Sequence, residues 1–125
     1  EDLLAAFFGP YIELIGSGDE GWISYARLHA MVTQDRRWTP LAANVFGSVA
    51  KDMIASMMVA EPRLTREAAT RGYVFLVGCM VSVFADTGLT QLLSDGAVTA
   101  GDAASNFDPM VRFGAAGVRG LRRPT

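Results

Sequence analysis

Apolar residues recur at helical spacing along nearly the whole chain, and strict β-type alternation is scarce. The pattern predicts five helices. The first covers roughly Asp2 to Ile15, with Leu4, Phe7, Phe8, Tyr11, Ile12 and Ile15 as its apolar stripe. Pro10 inside it is expected to kink or interrupt it. After the loop Gly16 to Gly21, a second helix runs from about Glu20 to Thr33. It sets Trp22, Tyr25, Ala26, His29 and Val32 on one face and Ile23, Leu28 and Met31 on another, so both faces are expected to be buried. QDRRW breaks the pattern, and Thr39-Pro40 reads as an N-cap followed by proline at the first helical position.

The third helix, about Pro40 to Val59, aligns Phe46, Ala50, Met53, Ile54 and Met57 in one row beside Leu41, Val45 and Val49 in the next. Lys51 and Asp52 mark its wetter side, and Glu61-Pro62 ends it. Thr65 reads as the N-cap of a fourth helix, with Glu67 in the first turn, running to about Leu93 with a bend at Gly88. Ser94 to Asn106 is a small, polar connection. A fifth helix starts at Phe107 or Pro109, with Asp108-Pro109 as cap and first position, and runs to Leu121. The fold class is therefore all-α, a bundle of about five helices in one domain covering residues 1–125.

The fourth helix contains GYVFLVGCMVSVFA, residues 72–85, without one charge. A surface helix normally keeps a polar face. A membrane span needs about 20 apolar residues, and here Arg71 and Asp86 bracket fourteen. The fifth helix carries Met110, Val111, Gly114, Val118 and Leu121 on one face, and its glycines cost about 1 kcal/mol each against alanine. Covering both helices on all sides is hard in a small domain. A second copy is the economical cover, with two helices from each chain forming a four-helix interface. Val74, Val81, Met110, Gly114, Val118 and Leu121 are the candidate contacts across the two-fold.

Composition narrows the function classes. The chain is 50% apolar and 19% charged with a net charge of −2, which suits a packed domain and not a phosphate-binding surface. The clusters Arg36-Arg37 and Arg119, Arg122, Arg123 read as solvated helix ends. One cysteine, Cys79, allows no disulfide within the chain, in keeping with a reducing cytoplasm. One Cys and one His do not make a zinc signature, and no cofactor or metal is expected. No glycine-rich phosphate cradle and no Glu-x-x-His pair is present.

The informative region is the middle of the bundle. Trp22, Tyr25 and His29 share a face, Met53 and Met57 share another, and Phe75, Cys79 and Met80 come from the fourth helix. Aromatics and methionines with a few polar tips are the material of an adaptable ligand pocket. The same residues would equally serve as an ordinary core. His29, titrating near neutrality, would in a pocket contact a polar or acidic group.

GWISYARLHAMVTQDRRWTPLAANVF, RGYVFLVGCMVSVFADTG and NFDPMVRFGAAGVRGL together resemble the C-terminal half of tetracycline-repressor (TetR) family transcriptional regulators. The resemblance implies a homodimer joined by the last two long helices. It also implies a small effector, here mostly hydrophobic, held inside the bundle. An N-terminal helix-turn-helix domain, expected ahead of Glu1, would bind operator DNA, with the first helix as connector; this chain alone would not bind the operator. The protein is then cytoplasmic and not an enzyme. Two other classes fit the residues: a solid helical interaction module, and a small enzyme working through His29, Tyr25 and Asp86.

Overall fold

The computed structural model describes residues 1–98 and 103–124. Its elements are α1 (Asp2–Gly16), α2 (Glu20–Gln34), a single 3-10 turn (Arg36–Trp38), α3 (Thr39–Ala60), α4 (Arg66–Ala85), α5 (Leu89–Leu93) and α6 (Ala103–Gly120). No strand occurs among the described residues. The all-helical class agrees with the periodicity, and helix starts follow their caps. Asp19 accepts from the N–H groups of Gly21 (2.8 Å) and Trp22 (3.3 Å), and Thr65 accepts from Ala68 at 3.1 Å.

Four boundaries differ from the sequence reading. QDRRW does not simply break the chain: Asp35 accepts from the Arg37 N–H at 2.9 Å and closes the 3-10 turn. Helix α3 then begins at Thr39 itself, with Trp38 at the cap position. The fourth helix stops at Ala85, where Asp86 takes a left-handed conformation (φ 39°). Asp tolerates that region better than most residues, and with Gly88 at φ 73° the chain turns sharply where only a bend was expected. Leu89–Leu93 is consequently a separate short helix. Finally, α6 begins at Ala103, so Asp108-Pro109 lies inside it. Of the expected connection Ser94 to Asn106, residues 99–102 lie outside the described residues, and Ala103 to Asn106 is helical.

Pro10 does not interrupt α1, which is continuous from Asp2 to Gly16. Proline removes the N–H that would bond the Ala6 carbonyl. Ala6 and Pro10 are both exposed, so the unpaired carbonyl faces water and the loss is tolerated.

The core joins Leu4, Phe8 and Ile12 of α1 to Met53 and Met57 of α3, Leu76, Met80 and Phe84 of α4, and Met110, Val111 and Ala115 of α6. Helix α6 lies along α1 and α4, and α4 also packs on α2 and α3. Among the described residues α4 alone has the length and apolarity to cross a membrane. Its Leu76 and Met80, each 2% exposed, are core residues of this bundle, so the chain covers one side of the charge-free stretch by itself. The other side, with Val74 and Phe75, stays open.

The contact of α6 with α4 and α1 is close because glycine permits it. A Cβ on Gly114 would stand 2.6 Å from Leu76 Cδ2 and 3.2 Å from Leu4 Cδ1. On α4, a Cβ on Gly72 would meet Met57 Cε at 3.2 Å and Leu121 Cδ1 at 3.3 Å. At the chain end, Arg122 pairs with Glu61 and the Arg123 N–H donates to the Arg63 carbonyl at 3.3 Å, while Arg119 reaches Glu1 at 3.5 Å. These arginines therefore pin the tail to the α3–α4 loop and to α1. Gly114→Leu should overpack this seam and destabilise the protomer by about 3 kcal/mol, read as a lower urea midpoint. An unchanged midpoint would mean that α6 does not sit as described.

Candidate functional site

The chief cavity opens between α1, α2, α3 and α4 and measures about 460 Å³. Phe7 and Tyr11 come from α1, one turn apart, and their i, i+4 spacing puts both on the inward face. His29, Val32 and Thr33 come from the C-terminal half of α2. Helix α3 presents Ala42, Ala43, Phe46, Gly47 and Ala50, small residues that leave room beside one aromatic ring. Tyr73, Val77 and Met80 of α4 make the opposite wall, at i, i+4 and i+7. Val49, Lys51 and Val74 are exposed and mark the mouth. The size is that of an ordinary small-molecule site.

A second, smaller cavity of about 130 Å³ lies behind the first, between α1, α2 and Phe84 of α4. Trp22 and Tyr25 line it in edge-to-face contact, ring centroids 5.9 Å apart. Tyr11 and His29 line both cavities. They form the partition between the two chambers.

The polar groups on this lining are few. His29 is only 7% exposed, and its ring stacks on Phe46 with centroids 4.5 Å apart and planes 23° apart. Its Nδ1 is buried without a hydrogen-bond partner. Burial pushes its pKa below the ordinary histidine value, so the ring is held neutral at physiological pH. Burial also raises the phenols of Tyr11 and Tyr73, and each is further disfavoured as an anion by a neighbouring phenol, Tyr25 for Tyr11 and Tyr11 for Tyr73. Neither hydroxyl hydrogen-bonds to another described residue. The Thr33 hydroxyl is committed to its own helix, donating to the carbonyls of His29 (2.9 Å) or Ala30 (3.2 Å). Among the described residues no cluster of His, Cys, Asp or Glu could hold a metal ion.

The structure separates the residues singled out from the sequence into four groups. Trp22, Tyr25 and His29 surround the small chamber, and His29 and Met80 also line the large one. Met53 and Met57 lie in the core, away from both chambers. Phe75 points outward, 60% exposed. Cys79 is half-buried against the core, its thiol pKa raised by burial. The residues that sequence reasoning missed as lining are chiefly Phe7, Tyr11, Phe46 and Tyr73. Their i, i+4 and i, i+7 spacings were visible, but core and cavity linings share that periodicity.

The interface candidates are likewise divided. Val81, Met110 and Gly114 are buried inside the protomer, against its own helices. Val118 and Leu121 pack toward Gly72 of α4. Val74 is exposed, but at the mouth of the cavity. The apolar face that α6 turns outward is instead Phe113, 69% exposed, with Ala116, Gly117 and Gly120. On α4 the neighbouring outward positions are Phe75, Gly78 and Ser82.

The family model for the tetracyclin repressor-like C-terminal domain matches residues 5–117. Searches of curated proteins and of solved structures gave no match.

Because His29 is neutral in the fold and charges more readily when unfolded, the unfolded chain binds the extra proton first as pH falls. Stability should therefore be level above about pH 6.5 and decline below it, through the window between the unfolded and the lowered folded value. The titratable groups sharing its walls are Tyr11, Tyr25 and Tyr73, with Lys51 at the mouth. The difference in urea stability between wild type and His29→Gln should shrink from pH 7.5 to pH 5. A constant difference would show that His29 is not held neutral by burial.

Proposed function

The chain belongs to the tetracycline-repressor-like C-terminal domain family, and from this premise we propose that it is the effector-binding and dimerising half of a transcriptional regulator. The observation that carries the reading is the cavity walled by α1, α2, α3 and α4. A solid interaction module has no use for a chamber of that size beside its core. Domains of this family belong to regulators and not to enzymes, and the lining offers no activated nucleophile.

In this reading a small, mostly apolar effector occupies the chamber of a cytoplasmic homodimer. An N-terminal helix-turn-helix domain carried ahead of α1 reads the operator. Phe7 and Tyr11 place α1 directly on the effector, so α1 is the element that passes the signal on. The effector must bind one setting of α1 more tightly than the other, since equal affinity shifts nothing. Occupancy then favours the setting that releases DNA.

The dimer seam we propose is one helical step from the positions expected from sequence. It uses Phe75, Gly78 and Ser82 of α4 with Phe113, Ala116, Gly117 and Gly120 of α6, an uncharged strip beside the packed α4–α6 pair. Glycines there admit a second backbone at close range, and a Cβ at Gly117 meets nothing within 4 Å in the protomer. Phe113→Asp and Gly117→Leu should therefore leave the helical content intact while raising the dimer dissociation constant at least ~30-fold, the measure of a ~2 kcal/mol hot spot. Sedimentation equilibrium with circular dichroism checks both. Wild-type protein that sediments as a monomer at micromolar concentration would sink the dimeric reading and favour the interaction module.

A further inference from the structure

The chemical class of the effector follows from what lines the chamber and from what those groups leave unbonded. Buried polar groups are nearly always paired, yet the lining holds a buried His29 Nδ1 without a partner. The hydroxyls of Tyr11 and Tyr73, two half-buried residues of the same lining, also find none among the described residues. Burial favours the uncharged form of each of the three. Thr33, the other hydroxyl deep in α2, is already spent on its helix.

Resting on the effector-pocket reading above, we propose that the chamber takes an uncharged, flat, largely aromatic molecule carrying a carbonyl oxygen, with that oxygen received by the Tyr11 and Tyr73 hydroxyls. A carbonyl oxygen has two lone pairs and accepts two donors at once. Two phenols on the same lining, with Tyr11 near enough to raise the pKa of Tyr73, supply two donors. A ligand carboxylate would be buried without a cation, because Lys51 stands at the exposed mouth, and an unpaired buried charge is costly. A ligand cation would find no carboxylate, since no Asp or Glu lines either chamber. A ring system suits the lining: the stacked His29–Phe46 pair and the Phe7 ring are joined by Ala43 and Gly47, small residues that flank Phe46 on its own helix. The partition residues Tyr11 and His29 put the polar end at the back of the large chamber, against the small one.

The test uses 1-indanone, its hydrocarbon counterpart indane and 1-indanecarboxylate as probes, titrated into the protein and into Tyr11→Phe, Tyr73→Phe and double variants, followed by amide chemical shifts. The double variant should lower the preference for indanone over indane about tenfold, mainly by weakening indanone. Each single variant should give part of that change, which keeps the result readable if the double variant does not fold. A preference that survives both substitutions would overturn the assignment of the carbonyl site while leaving an effector pocket in place. So would tighter binding of the carboxylate that is lost in Lys51→Gln. Failure of all three probes to shift any cavity residue at their solubility limits would overturn the pocket reading together with this one.

Discussion

The close seating of α6 on α4 and α1 is the contact on which the remaining architecture depends. Gly114 lets Leu76 approach to a distance at which a Cβ would collide, and Gly72 lets Met57 and Leu121 come to distances at which a Cβ would press on them. That seam fixes one side of α4. The opposite side is built from large rings: Tyr73 on α4 meets Phe7 on α1 edge-on with centroids 6.1 Å apart, and Phe7 meets Tyr11 of its own helix in the same way. Rings meeting edge-on hold helices apart where glycines draw them together. The same helix is thus dense on one flank and hollow on the other, and the cavity is the direct result of that asymmetry.

The asymmetry also answers what covers the uncharged run from Gly72 to Ala85. No single partner does. Leu76 is sealed by the chain itself, Tyr73, Val77 and Met80 line the chamber, and Phe75 with Gly78 is left to the outside. Each third of the helix circumference meets a different environment, and none of them rewards a charge.

Much of this was legible in the chain. Period, the cap at Thr65 and the stop at Glu61-Pro62 place three of the long helices within a residue or two. The failures have specific causes. Asp86 ends α4 by adopting a conformation that propensity scarcely registers, and Asp108-Pro109 carries the signature of a helix start while sitting within one. For the site, periodicity told which residues face inward but not which inward positions are filled. His29, Trp22 and Tyr25 fall at the chambers, whereas Met53 and Met57, with an identical spacing signal, are packed solid. A small residue such as Gly114 invites a close neighbour from either side, and here the neighbour is Leu76 of the same chain.

The proline in α1 has a mechanical meaning beyond its tolerance. With no N–H at Pro10, the rung that would tie it to Ala6 is missing, and the gap falls in the stretch bearing the two cavity-facing rings of that helix, Phe7 and Tyr11. A rod lacking one tie is softest there. In the regulator proposed above, a push on Tyr11 would be taken up at that place, so the position of a single imino acid would set the length of the arm ahead of it.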